Sequence, residues 1–147
     1  MTPHTLPDPD LSPAFYADVP SKRLVAWIID SLLVIALMIV IIPFTGFLAL
    51  FMLPAVWLIL SLLYRIVSLT RHSATPGMRV MSIQMRAHTG AKFGLSEAIV
   101  HTLIYTTCVS FVLPQILSVL LMATGSHGRG LGDIVLGSVM INRPTSG

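Results

Sequence analysis

Apolar positions along the chain fall into three long runs separated by short polar stretches. The first, Leu24–Ile42, reads LVAWIIDSLLVIALMIVII, nineteen residues in which Asp30 is the one charge. That length of helix crosses the hydrocarbon layer of a bilayer. Pro43-Phe44-Thr45-Gly46 follows as a turn signal. The second run, residues 47–69, predicts another spanning helix, with Pro54 near its middle as a kink and Arg65 close enough to its end to snorkel. The third, Leu95–Thr124, is thirty residues long. It is too long for one straight crossing and short for two. Pro114-Gln115 past its middle leaves two forms open: one kinked helix that emerges on the far side, or a helical hairpin that returns. Arg129 and Arg143 come next, and basic residues prefer the cytoplasmic side, which favours the return.

The polar stretches add smaller elements. Residues 70–92 hold a short segment, Val80–Arg86, ahead of the turn signal His88-Thr89-Gly90, consistent with a short interfacial strand or hairpin. Residues 1–20 carry five prolines together with Asp8, Asp10 and Asp18, and read as a disordered or extended arm. The tail Gly125–Arg143 has a glycine-rich turn, an acid, and a short β-branched run. The expected architecture is an all-α membrane protein: an arm (1–20), one transmembrane domain (21–143) with two clear spans and a third kinked or hairpin unit, and a short tail (144–147).

Composition agrees with this pattern. The 147 residues are 54% hydrophobic and 10% charged, with a mean hydropathy of +0.85. A soluble domain carries about 25% charged residues, so an integral membrane protein is expected. The nine Lys and Arg residues flank the apolar runs, where topology and anionic lipid account for them without nucleic acid. Their placement puts the N-terminus and residues 70–92 in the cytoplasm and the 43–46 turn outside. The first run starts late and is too long for a signal-peptide core, so it reads as an uncleaved anchor. Cys108 stands alone in an apolar run, which excludes a disulfide framework.

Candidate chemistry begins with Asp30. A carboxylate within a spanning helix costs roughly 2.5–3.5 kcal/mol on insertion scales. The nearest counter-charge is Arg23, seven residues earlier on the same helix face. Asp133, after the glycine-rich turn, is the third charge of interest, and Arg129 could pair with it or approach Arg23. His101 lies one turn from Glu97, so those two could pair; an interfacial histidine is the plainer reading. Gly125, Gly128, Gly130 and Gly132 form either a backbone anion nest or an ordinary turn. No clustered Cys/His pattern, phosphate-binding loop or nucleophile motif is present, so no enzyme, metal or cofactor is expected. No internal repeat is visible, which weakens a transporter fold built on inverted repeats.

Three blocks, SKRLVAWIIDSLLVIAL, SATPGMRVMSIQM and GRGLGDIVLGSVMINR, resemble the signature blocks of the RDD family of bacterial membrane proteins. The resemblance runs from about Lys22 to Arg143. It implies that Arg23, Asp30 and Asp133 are the signature arginine and two aspartates, with Thr75 and Gly77 in the middle block. Three positions depart from the family pattern: Met78 stands where a lysine is usual, His101 where many members carry an arginine, and Gly132 where a histidine often precedes the aspartate. The resemblance implies a multi-pass protein of the bacterial inner membrane whose molecular role is unsettled. Two functions are consistent with it. One is a non-enzymatic accessory, assembly or structural component organised by Arg23, Asp30 and Asp133, working as a homo-oligomer or in a larger complex. The other is a small transporter, with Asp30 as the coupling carboxylate of monovalent cation/proton antiport.

Overall fold

The structure, a computed structural model, describes residues 6–143. Two helices are long and apolar enough to cross a membrane. The first, α1 (Val19–Phe44), has 26 residues, about 39 Å of helix at 1.5 Å per residue. Pro20 sits in its first turn, where a missing N–H costs nothing. The chain leaves α1 through Gly46, whose φ of +63° is the left-handed turn conformation. A 3₁₀ turn (Leu48–Met52) then leads into α2 (Leu53–His72). Pro54 therefore lies in the first turn of α2 rather than in mid-span, and the expected kink is replaced by a proline-started helix.

The third run resolves into two helices, α4 (Leu95–Ser110) and α5 (Val112–Thr124), which follow the short α3 (Pro76–Val80). A bend of 117° separates them. With 16 and 13 residues, about 24 and 20 Å by the same rise, each is shorter than the roughly 30 Å hydrocarbon layer. The pair is thus a sharply bent helical unit, and the contact of Gly128, just beyond α5, with Arg23 favours the returning hairpin over a single kinked crossing. Its tip, Phe111–Leu113, is exposed and apolar.

The return is secured by the tail. After α6 (Leu131–Leu136), strand β2 (Val139–Asn142) pairs antiparallel with β1 (Ile83–Arg86), with Ile83 opposite Asn142 and Arg86 opposite Val139. The strand expected near residue 83 exists, but its partner is the C-terminal segment and not a local hairpin. Inside this end of the molecule lies the buried apolar cluster: Leu69, Met78, Ile83, Met85, Phe93 and Met140. The rest of α1, α2 and α5 is mostly apolar and exposed, which suits lipid as the surrounding solvent.

Residues 6–18 make contacts with the sheet end of the molecule. Tyr16 donates to the Pro7 carbonyl at 2.7 Å, and the Asn142 amide donates to the Ala14 and Ala17 carbonyls. Lys22 donates to the other side of the same Asn142. The first five residues and the 144–147 tail lie outside the described residues.

The hairpin makes a direct topological prediction. In a Cys108→Ser background, Ser96→Cys and Ser126→Cys will both react with a membrane-impermeant maleimide from one side, and Thr45→Cys from the other. Labelling of Ser96→Cys and Ser126→Cys from opposite sides would require a single crossing instead.

Candidate functional site

The polar groups that sequence reading singled out converge where α1, α3, α4 and α6 meet. They form two separate clusters, each built around one buried aspartate.

Asp133 is completely buried. It occupies the first turn of α6, where its Oδ2 accepts the Gly130 amide at 3.1 Å and helps cap the helix. The same oxygen accepts from Arg23 Nη1 at 2.6 Å. Its Oδ1 faces His101 Nε2 at 2.9 Å and accepts from the Ser138 hydroxyl at 3.3 Å. Arg23 also donates to the Gly128 carbonyl. Burial alone raises the Asp133 pKa. The Arg23 charge and the His101 contact outweigh it and hold the carboxyl well below the usual carboxylate range.

Asp30 is buried two turns deeper along α1, and it takes a different set of partners. Oδ1 accepts from the Tyr64 hydroxyl and from the Gly77 amide, both at 2.8 Å. Oδ2 accepts from the Thr75 hydroxyl at 2.5 Å. Thr75 is also the N-cap of α3, its oxygen accepting the Met78 amide. Gly77 is required by space: a Cβ there would overlap the Ala26 carbonyl and sit 2.8 Å from Asp30 Oδ1. The middle block of the sequence is therefore a short cap-and-turn that presents one hydroxyl and one amide to Asp30.

Several expected pairings are replaced. Arg23 bonds Asp133 and not Asp30, because α6 brings a carboxylate closer than the two helical turns that separate Arg23 from Asp30. Arg129 does not bond Asp133; its Nε is buried without a partner among the described residues. Glu97 caps α4 by accepting the Gly94 amide, and His101 turns instead to Asp133. The glycine-rich turn is not an open anion nest at Gly130, since Asp133 takes that amide. Arg65 does not snorkel. It is 8% exposed, with its guanidinium 3.8 Å from the centre of the Tyr105 ring.

Tyr64, Ser138 and Arg65 were missed as site residues. The available signal was weak: adjacent tyrosine and arginine in the last turns of a span. A cavity of 410 Å³ borders both clusters, lined by Arg23, Asp30, Arg65 and His101 among others. Among the described residues no three of His, Cys, Asp and Glu converge as a metal site.

The RDD family model matches residues 18–137. No curated protein and no solved structure matches the chain.

Removing one partner of a buried pair strands the other charge, at about 3–5 kcal/mol. Asp133→Ala should therefore destabilise the protein by about that amount in detergent unfolding, and the pair Arg23→Met with Asp133→Leu by less than the sum of the two single changes. The native carboxyl titrates lower than in the unfolded chain. Its contribution is thus present above the unfolded pKa of about 4 and is lost as pH falls from there toward the folded value. The stability gap between wild type and Asp133→Asn should narrow below about pH 4; a gap that widens on acidification contradicts the assignment.

Proposed function

The chain belongs to the RDD family, and from that premise we propose that it is a non-enzymatic accessory or assembly component of the bacterial plasma membrane. The observation that carries this reading is the state of the two aspartates. Every carboxylate oxygen of Asp30 and Asp133 already accepts from a protein donor, and each aspartate joins segments distant in sequence. Groups engaged in this way hold a shape. To take up a cation, Asp30 would have to give up the Tyr64, Thr75 or Gly77 contacts that join α1 to α2 and α3.

The working orientation has the N-terminus and the sheet in the cytoplasm. All nine Lys and Arg residues lie at the sheet end or within about two turns of it, which supports that orientation through the positive-inside rule. Two spanning helices and a hairpin are few to enclose a path across the bilayer. Their small number supports a homo-oligomer or a larger membrane complex as the working form.

The alternative, monovalent cation/proton exchange through Asp30, is favoured by one observation: Asp30 lines the cavity. Proteoliposomes of the purified protein separate the two. On the accessory reading, Na⁺, K⁺ or Li⁺ gradients drive no proton movement in wild type. Asp30→Asn then lowers stability by about 1–3 kcal/mol, the cost of disturbing a buried hydrogen-bonded group. A cation-driven pH change that vanishes in folded Asp30→Asn protein would make the protein a carrier.

A further inference from the structure

The cavity between α1 and α5 sets three basic side chains, Arg23, Arg65 and His101, against one carboxylate, Asp30. Both carboxylates near it are engaged: Asp30, in the lining, by Tyr64, Thr75 and Gly77, and Asp133, behind the lining, by Arg23, His101, Gly130 and Ser138. Arg65 is different. It lines the cavity and is more than nine-tenths buried, yet it donates to no acceptor among the described residues; its guanidinium lies over the face of Tyr105. A guanidinium held that way in a low-dielectric site is costly unless something supplies acceptors. Arg23 lines the same cavity but is already paired with Asp133, which leaves Arg65 as the arginine without a bonded carboxylate.

The mouth of the cavity shows where an acceptor would come from. Leu24 and Trp27 of α1 and Val119 of α5 line it, yet they are 60%, 43% and 51% exposed. They belong at once to the cavity and to the apolar outer face of the helices, so the cavity opens sideways into the bilayer. Leu24 and Trp27 lie five and eight residues into α1, about 8 and 12 Å from its start.

We propose that this cavity binds an anionic amphiphile of the bilayer, its phosphate or carboxylate head on Arg65 and its chain leaving between Leu24/Trp27 and Val119. The planar guanidinium suits such an oxyanion, and basic pockets between membrane helices are suited to lipid headgroups. The apolar cleft selects an anion that carries a chain over a free one. The site goes beyond the accessory role and does not depend on it, because a carrier could hold the same lipid; the flux assay and the binding assay therefore fail independently.

The test is tryptophan fluorescence of the purified full chain in a mild neutral detergent, in a Trp57→Phe background so that Trp27 reports. Short-chain phosphatidylglycerol, phosphatidylcholine of the same chain length, and inorganic phosphate are titrated separately. The proposal expects a saturable change with phosphatidylglycerol alone. Arg65→Gln weakens it by about tenfold or more, the loss of a charge-assisted hydrogen bond, and Arg65→Lys restores part of it. Val119→Trp, which leaves every charge in place and narrows the mouth, also abolishes binding, read by the thermal shift that phosphatidylglycerol produces in the parent; this keeps the test decisive if Arg65→Gln does not fold. Equal response to phosphatidylcholine would overturn the anionic head. Saturation by inorganic phosphate alone would overturn the lipid source. Unchanged binding in folded Arg65→Gln would overturn the site.

Discussion

A buried carboxylate has to find donors, and in this protein that requirement at Asp133 closes the fold. The tail could otherwise lie anywhere along the membrane surface. Asp133 needs several donors at once, and Arg23 on α1, His101 on α4, the Gly130 amide and Ser138 meet it in one place. Satisfying one side chain therefore docks α6 against two other helices and aligns β2 with β1. The same contact ties both limbs of the bent pair, His101 of α4 through Asp133 and Gly128, just beyond α5, through Arg23.

Asp30 repeats the principle deeper in α1. Its partners come from the end of α2 and the start of α3, so it fixes the turn that links the second span to the sheet. The molecule is held at one end by two satisfied acids and a compact apolar cluster, while its spans expose apolar faces. This division follows the solvent. Lipid gives apolar side chains no reason to associate, so polar contacts and close packing fix the helices. Where the chain meets water, an ordinary core forms.

The departures from the family pattern fit this arrangement. Met78, in place of a lysine, is buried in the apolar cluster and leaves the Thr75 cap intact. Gly132 stands where a histidine often precedes the aspartate, and a Cβ there would sit 3.3 Å from the His101 ring. In this chain the imidazole beside the aspartate comes from α4, and the glycine leaves room for it.

The sequence by itself determined the class of the protein and the two spans, and it singled out some of the polar residues that meet in the structure but not Tyr64, Ser138 or Arg65. Long apolar runs interrupted by a lone Asp30 are local signals that composition and periodicity carry, while Thr75, Gly77 and the signature role of Arg23 and Asp133 came from the resemblance of three short blocks to the RDD family. The sequence left the hairpin and the partner of Arg23 open, and assigned Pro54 and Arg65 to a kink and a snorkel. Only the tertiary structure decided those points. Each depends on which segments meet across long chain separations: Arg23 with Asp133 over 110 residues, Asp30 with Gly77 over 47. Helical periodicity says which face a residue occupies. It does not say which distant donor arrives there, and for a buried charge the donor that arrives settles the geometry.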